Sequence, residues 1–97
     1  MEFYKEDNTK KIKVFLKDQY IFLTSRAYDV FEFRLDAINI SNGTAFNTID
    51  ADFDNEYVIF TLPDLIKKGT YDIQITLTTF NRKYIIGLEQ LKIKDNL

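Results

Sequence analysis

A two-residue hydrophobic period constrains this chain more than any other feature of its sequence. The clearest instance lies at 71–79, where Tyr71, Ile73 and Ile75 alternate with polar residues. Successive side chains of a β-strand point to opposite faces, so this alternation predicts a half-buried strand. Further predicted strands lie at 11–16, 20–23, 28–35, 48–54, 57–62 and 83–94. The pattern predicts an all-β protein.

Turn signals separate these segments at intervals of about 8 to 12 residues. The strongest is Asn42-Gly43, because an Asn-Gly pair supplies the positive φ of a hairpin turn. The segment 63–69 begins with Pro and ends with Gly, which predicts one short helical turn near 63–68. Gly87 marks a change in the parity of the apolar positions, which predicts a β-bulge. Seven or eight antiparallel strands in a β-sandwich are predicted, with a closed barrel as the competing architecture.

Composition limits the chain to one domain and removes most catalytic machinery. The 97 residues leave room for a single domain over 1–97. The chain has no His and no Cys, which excludes the commonest general base, thiolate chemistry and the usual zinc ligands. Ser25 and Ser41 lack the Gly-x-Ser-x-Gly context of hydrolases, and three glycines cannot form a phosphate-binding loop. We expect no enzyme activity and no cofactor.

Net charge and hydropathy indicate which classes of partner the chain is unsuited to bind. The net charge of −2 gives no overall attraction to nucleic acid, and the apolar runs are far shorter than the ~20 residues that span a bilayer. We expect no nucleic-acid partner and no membrane insertion. Residues 29–64 carry eight acidic side chains against Arg34 alone. This asymmetry is explained either by solvated strand faces or by an electrostatic contact surface. The N-terminus lacks the apolar core of a signal peptide, so we expect synthesis in a cytoplasm.

The acidic segment 50–56 is the most metal-like motif. Its alternating aspartates resemble the opening of a calcium-binding EF-hand loop, but Asn55 replaces the required Gly and Thr61 the required Glu. The segment is therefore interpreted as a polar strand face, and no metal site is predicted. A glycosidase would need a buried acid, whereas the acids here fall in turns, at strand ends or on polar parity.

The lysines and most aromatic residues are assigned structural roles, and three aromatic residues are candidates for contact with a partner. Five lysines are interpreted as charges that protect sheet edges from pairing: Lys10, Lys11, Lys13, Lys92 and Lys94. Five aromatic residues are predicted in the core: Phe31, Phe33, Phe53, Tyr71 and Tyr84. Phe3, Tyr4 and Phe80 lie in termini or turns, where an exposed aromatic ring more often marks a contact.

Four segments together resemble the N-terminal immunoglobulin-like domain of baseplate upper proteins from phages and prophages of Gram-positive bacteria. The segments are a polar opening (Lys5-Glu6-Asp7-Asn8-Thr9), a Leu-Pro step (Phe60-Thr61-Leu62-Pro63-Asp64-Leu65), a strand entry (Lys68-Gly69-Thr70-Tyr71-Asp72-Ile73) and a hairpin (Phe80-Asn81-Arg82-Lys83). The resemblance implies a non-catalytic structural module that docks to other subunits of a tail or baseplate, with no cofactor. It also implies that the chain passes from the bacterial cytoplasm into the virion.

The residues expected to meet a partner are Phe80, Arg82, Lys83 and Asn42. Aromatic residues and Arg are enriched at the centre of protein interfaces, and loops present such residues on a rigid scaffold. A homo-oligomer is possible under this hypothesis. The alternative is a carbohydrate-binding β-sandwich, which would need an exposed row of aromatic rings.

Overall fold

A computed structural model describes residues 2–4, 11–16, 30–54, 56–63, 67–80 and 82–94. The predicted strand at 20–23 lies outside these residues, as does the middle of the predicted helical turn at 63–68. The described part of the chain contains no helix long and apolar enough to cross a membrane.

Eight strands form two sheets. They are β1 (Glu2–Tyr4), β2 (Lys11–Phe15), β3 (Val30–Asn39), β4 (Ala45–Thr48), β5 (Ala51–Asp54), β6 (Tyr57–Thr61), β7 (Gly69–Thr79) and β8 (Lys83–Lys94). The large sheet has the order β1-β8-β7-β3-β4, and the small sheet has the order β2-β6-β5. Every pairing is antiparallel except that of β1 with β8, which is parallel.

The strand order matches that of immunoglobulin-type sandwiches. In those domains strands B, E and D form one sheet, and strands G, F, C and C′ form the other. Here β2, β6 and β5 take the first set of places, whereas β8, β7, β3 and β4 take the second. β1 lies beside β8, at the outer edge of the large sheet. The predicted β-sandwich is therefore confirmed.

The predicted alternation is confirmed most clearly in β7. Its odd-numbered residues from Tyr71 to Leu77 are at most 2% exposed, and they face the small sheet. The core between the sheets also takes side chains from β2, β3, β6 and β8 and from the residue that follows each of β2 and β6: Ile12, Leu16, Leu35, Ala37, Val58, Phe60, Leu62, Leu91 and Ile93.

The parity change predicted at Gly87 is confirmed as a bulge in β8. Ile75 pairs with Gly87 but Thr76 pairs with Ile85, so Ile86 is an extra residue in β8. The bulge lets Leu91 face the core, whereas Leu88 points away from it.

The segment 48–54 was expected to be one strand, and this prediction is wrong. The chain leaves the large sheet after Thr48 and enters the small sheet at Ala51, so the alternation spans two strands in different sheets. The Thr48 hydroxyl donates to the Thr61 carbonyl (3.1 Å) and accepts from the Asp50 amide (3.1 Å). The first bond joins the two sheets, and the second holds the connection between β4 and β5.

Two other structural predictions need correction. Phe53 was expected in the core but is 44% exposed, because β5 is the outer strand of the small sheet. Lys92 and Lys94 were interpreted as edge charges, yet β8 lies between β1 and β7 at these positions. Lys11 and Lys13 do lie on an edge strand, β2.

The entry into β7 forms a tyrosine corner. The buried Tyr71 hydroxyl donates a 2.7 Å hydrogen bond to the carbonyl of Lys67, four residues upstream. Immunoglobulin-type domains use the same bond at the corner between strands E and F. The Tyr71 ring also meets the Phe46 ring edge-on at 5.2 Å. The corner therefore fixes β7 to the loop before it and to β4.

Gly69 and Asn39 complete this corner. Gly69 has φ +146°, and a Cβ atom placed on it would collide with the side-chain amide of Asn39. The Asn39 side chain is itself buried, and its oxygen accepts from the Ser41 and Asn42 amides at 2.8 and 3.2 Å. The hairpin between β3 and β4 and the start of β7 are thus joined through one side chain.

Removing the Tyr71 hydroxyl tests the corner. We expect Tyr71→Phe to lower the free energy of unfolding by about 1–2 kcal/mol, because the Lys67 carbonyl loses its bond partner while the ring stays in place. Urea unfolding followed by fluorescence measures the change. Tyr57→Phe, on the small sheet away from the corner, is the matched control and should change stability by less than about 0.5 kcal/mol. Equal effects would show that the corner bond contributes nothing specific.

Two glycine substitutions separate backbone strain from packing. Gly43→Ala should destabilise the protein by about 1 kcal/mol, because Gly43 has φ +74° but no atom lies within 4 Å of the added carbon. Gly69→Ala should cost more, about 1–3 kcal/mol for the strained backbone in addition to the displacement of Asn39. The same unfolding experiment measures both, and a Gly69→Ala cost equal to that of Gly43→Ala would contradict the packing argument.

Candidate interaction surface

The outer face of the large sheet is the side of β3, β4, β7 and β8 that points away from the small sheet. Register fixes which residues share it: Ile38 lies opposite both Ala45 and Asp72, while Gln74 lies opposite Leu88. Since the alternate positions are filled by core side chains, this face carries the polar parity of each strand.

Three large aliphatic side chains interrupt that polar parity. Ile38 is 49% exposed, Ile85 55% and Leu88 73%. The bulge at Ile86 determines which β8 residues occupy the face, because it keeps Ile85 opposite Thr76 and Leu88 opposite Gln74. Single exposed aliphatic residues are common on protein surfaces, but three on one sheet face mark a candidate contact.

A groove of about 400 Å³ runs across this face. Ile38, Ala45 and Leu88 provide apolar lining, and Asp36, Asn47, Asp72 and Gln74 provide polar lining. The volume falls within the range of about 300–1,000 Å³ that binding pockets occupy.

The groove carries acidic charge. Asp36 and Asp72 line it, and among the described residues no Lys or Arg does. Asp36 accepts from Arg34 Nε at 3.0 and 3.2 Å, and this hydrogen bond raises the pKa of the Arg34 guanidinium above its ordinary value. Asp72 accepts from the Gln90 amide at 3.2 Å. Because an amide carries no charge, this contact leaves the negative charge of Asp72 on the surface.

A smaller hollow of about 250 Å³ adjoins the groove toward the other end of the face. Its charged lining residues are Glu32, Arg34, Asp36 and Lys83. Charge therefore changes along the face, from acidic around Asp72 to mixed near Lys83.

The hairpin between β7 and β8 holds three of the four predicted contact residues. The Thr79 amide donates to the Arg82 carbonyl at 2.8 Å, which closes a tight loop. Phe80 is 76% exposed, and Arg82 and Lys83 are also exposed. We call Phe80, Arg82 and Lys83 the hairpin tip.

Asn42 lies at the opposite end of the same sheet. β3 and β7 are antiparallel, with Asn39 opposite Tyr71 and Val30 opposite Thr79. The predicted residues therefore do not form one site. Asn42 also has a local role, because its side-chain oxygen accepts from the Thr44 amide at 2.9 Å and closes the β3–β4 hairpin loop. This hydrogen bond gives Asn42 a structural role in the turn, which explains the strong Asn42-Gly43 turn signal without a binding partner.

Sequence reasoning missed the outer-face residues. Ile38 and Leu88 both stand in runs of alternating apolar residues, and such a run carries no information on which of its two parities faces outward at a bulge or strand end. The nearest signal was the parity change after Gly87, since it requires one of Leu88 and Leu91 to face away from the core.

The acidic segment does not form a metal site among the described residues. Asp50 and Asp52 are exposed, and no group of three or more acidic side chains in the described part of the chain could hold a metal ion. The side chain of Asp54 and residue Asn55 lie outside the description.

Exposed aromatic rings occupy three separate places within the described segments. Phe15 packs edge-on against Tyr57 at 5.4 Å on the small sheet, where Lys13 Nζ lies 4.2 Å from the Tyr57 ring centre. Phe53 stacks on Phe33 at 6.2 Å, and Phe80 lies on the hairpin tip. These three places do not form a row among the described rings, and the side chains of Phe3 and Tyr4 lie outside the described part of the chain.

Comparison with known proteins adds no further constraint, because no family model matches the chain and a search of curated proteins returns no match. The resemblance to baseplate domains therefore stays a prediction from sequence pattern.

Two leucines on β8 test whether the outer face is separate from the core. We expect Leu88→Ala to change the free energy of unfolding by less than about 0.5 kcal/mol, because its side chain is 73% exposed. Leu91→Ala, three residues later and fully buried, should cost about 2–5 kcal/mol. Chemical denaturation of both variants measures this contrast. A large loss of unfolding free energy in Leu88→Ala would mean that Leu88 stabilises the fold and is not simply a surface side chain available to a partner.

Proposed function

We propose that this domain is a non-catalytic interaction module that docks to neighbouring protein subunits through the outer face of the large sheet. The observation that supports it is that three exposed aliphatic side chains, Ile38, Ile85 and Leu88, share one sheet face. Burying an exposed Leu or Ile side chain contributes about 1.5–3 kcal/mol, so a partner covering all three gains a substantial driving force.

The surroundings of these side chains suit a protein partner. Interfaces place apolar groups at the centre and polar groups around them. On this face Asp72 and Gln74, on β7, lie between Ile38 on β3 and Leu88 on β8. Arg34 hydrogen-bonds to Asp36, and Gln90 hydrogen-bonds to Asp72. A partner that covers these aliphatic side chains must therefore also supply a cation or hydrogen-bond donor to Asp72.

The scaffold favours rigid presentation of this surface. β3 and β7 pair over almost their whole length, and β7 and β8 pair from Gly69 to Thr78. A face built on paired strands loses little conformational entropy when it binds, because its backbone is already ordered.

The proposed setting is the tail or baseplate of a phage or prophage of Gram-positive bacteria. This part of the proposal rests on the sequence resemblance described above. The chain would be made in the bacterial cytoplasm, would assemble with other tail subunits and would leave in the virion. The strand order of the two sheets is compatible with this setting, but many immunoglobulin-type domains share it.

Particle fractionation tests this proposal. Phage particles are induced from a bacterium that carries the gene, purified by density gradient and probed with an antibody against this chain. We expect the chain to co-purify with particles in a fixed ratio to the other tail proteins. Its presence only in the soluble fraction, while particles are intact, would contradict the proposal.

A pair of variants tests the proposed docking face in the same assay. Leu88→Asp places a charge on the face and should lower incorporation into particles at least tenfold, because the charge would have to be buried. Ile49→Asp is the matched control, since Ile49 is 61% exposed but lies at the crossing between sheets. Equal incorporation of both variants would exclude the outer face as the docking surface.

A further inference from the structure

We propose that the outer-face groove accepts the hairpin tip of a second copy of this chain, so that copies associate head to tail. This inference rests on the proposed function, because it takes the outer face to be a docking surface and names its occupant. Two surfaces of one molecule, the hairpin tip and the groove, have complementary chemistry.

The hairpin tip is aromatic and basic. Phe80 is 76% exposed at the loop, and the exposed cations Arg82 and Lys83 follow within three residues. The loop is short, and the bond from the Thr79 amide to the Arg82 carbonyl holds its ends together. The tip is therefore a compact projection with one ring and two positive charges.

The groove has the complementary chemistry. Ile38, Ala45 and Leu88 offer an apolar surface for a ring, while Asp36 and Asp72 offer two negative charges. Asn47 and Gln74 add amide groups that can bond to the backbone of an inserted loop. Arg34 neutralises part of the Asp36 charge, so Asp72 is the principal partner for the cations of the tip.

A tip cannot reach the groove of its own chain. Asp72 and Thr79 lie on the same strand, seven residues apart, which corresponds to about 23 Å at about 3.3 Å per residue. Lys83 reaches only the hollow that adjoins the groove, whereas Phe80 and Arg82 lie beyond Thr79 and away from Asp72. A contact between them joins two different surfaces of two copies, which is a heterologous contact.

Heterologous contacts leave one tip and one groove unused in every dimer. They extend into open chains, or close into a ring when the rotation between copies permits it. The opposite charges make the association weaker as salt rises, because exposed charges are screened within about 8 Å at physiological ionic strength.

The test measures the mass of the full chain by sedimentation and light scattering, at concentrations up to about 1 mM and in low or high salt. We expect species larger than a dimer at low salt. The association constant between copies should fall several-fold when the salt concentration rises. A tip variant, Phe80→Ser with Arg82→Glu and Lys83→Glu, should be monomeric. A groove variant, Asp72→Lys with Leu88→Asp, should also be monomeric.

Mixing the two variants is the decisive step. The tip variant keeps an intact groove and the groove variant keeps an intact tip, so an equal mixture should form a 1:1 dimer that grows no further. A symmetric face-to-face dimer would not be restored in this way. Phe15→Ser and Asp52→Lys are the controls, because each removes a ring or reverses a charge on the small sheet. These controls should associate like the wild type.

Two further measurements keep the result interpretable if a multiple variant misfolds. Circular dichroism establishes the fold of each variant, and the single substitution Asp72→Asn should weaken association at least threefold without adding a new charge. The inference is overturned if the wild type stays monomeric under all conditions. It is also overturned if the wild type associates but the tip and groove variants form assemblies of the same mass.

The outcome is separable from that of the proposed function. Incorporation into particles together with unchanged association of the tip and groove variants would reject the head-to-tail contact alone. Restored 1:1 dimers together with absence from particles would reject the phage setting alone.

Discussion

The hydrogen bond from Tyr71 to the Lys67 carbonyl is the local constraint on which the large sheet depends. It fixes the chain where it crosses from the small sheet into β7, which is the central strand of the large sheet. Gly69 and Asn39 meet at the same place, and Asn39 holds the β3–β4 hairpin. Since β7 pairs with both β3 and β8, its register sets which residues of the neighbouring strands face outward. The outer face is thus a consequence of how β7 begins.

The bulge at Ile86 contributes the second half of that surface. Without the extra residue, the parity at the start of β8 would continue to its end, and the residues now buried as Leu91 and Ile93 would point to solvent. The bulge lets β8 keep a core side at both ends, and it leaves Ile85 and Leu88 on the outer face. One irregularity in the strand therefore serves the packing of the core and also determines the composition of the candidate interface.

Local patterns predicted the three long strands β3, β7 and β8, because alternation and turn residues depend only on neighbouring positions. The short strand β1 and most of β4 were not predicted, since three or four residues are too few to show a period. They failed at Thr48, where the alternation continues through a change of sheet, since two strands in succession can keep the same parity. Phe53 was misplaced for a related reason: parity indicates a face, whereas burial also depends on whether the strand lies at an edge. Gly69 and Tyr71 were visible as a motif, but the acceptor carbonyl of Lys67 belongs to the backbone, which no residue type reveals. The candidate interface depends on the bulge and on pairing across strands, so only its hairpin residues were foreseen.

The parallel pairing of β1 with β8 has a mechanical consequence. Glu2, Phe3 and Tyr4 run alongside Lys92, Ile93 and Lys94 in the same direction. A force that pulls on the chain before β1 and after β8 acts along these strands in opposite senses. It therefore loads their hydrogen bonds together in shear, whereas pulling an antiparallel hairpin apart from its open end breaks such bonds one after another. The short first strand thus gives the sandwich a geometry that resists tension applied along the axis of β1 and β8.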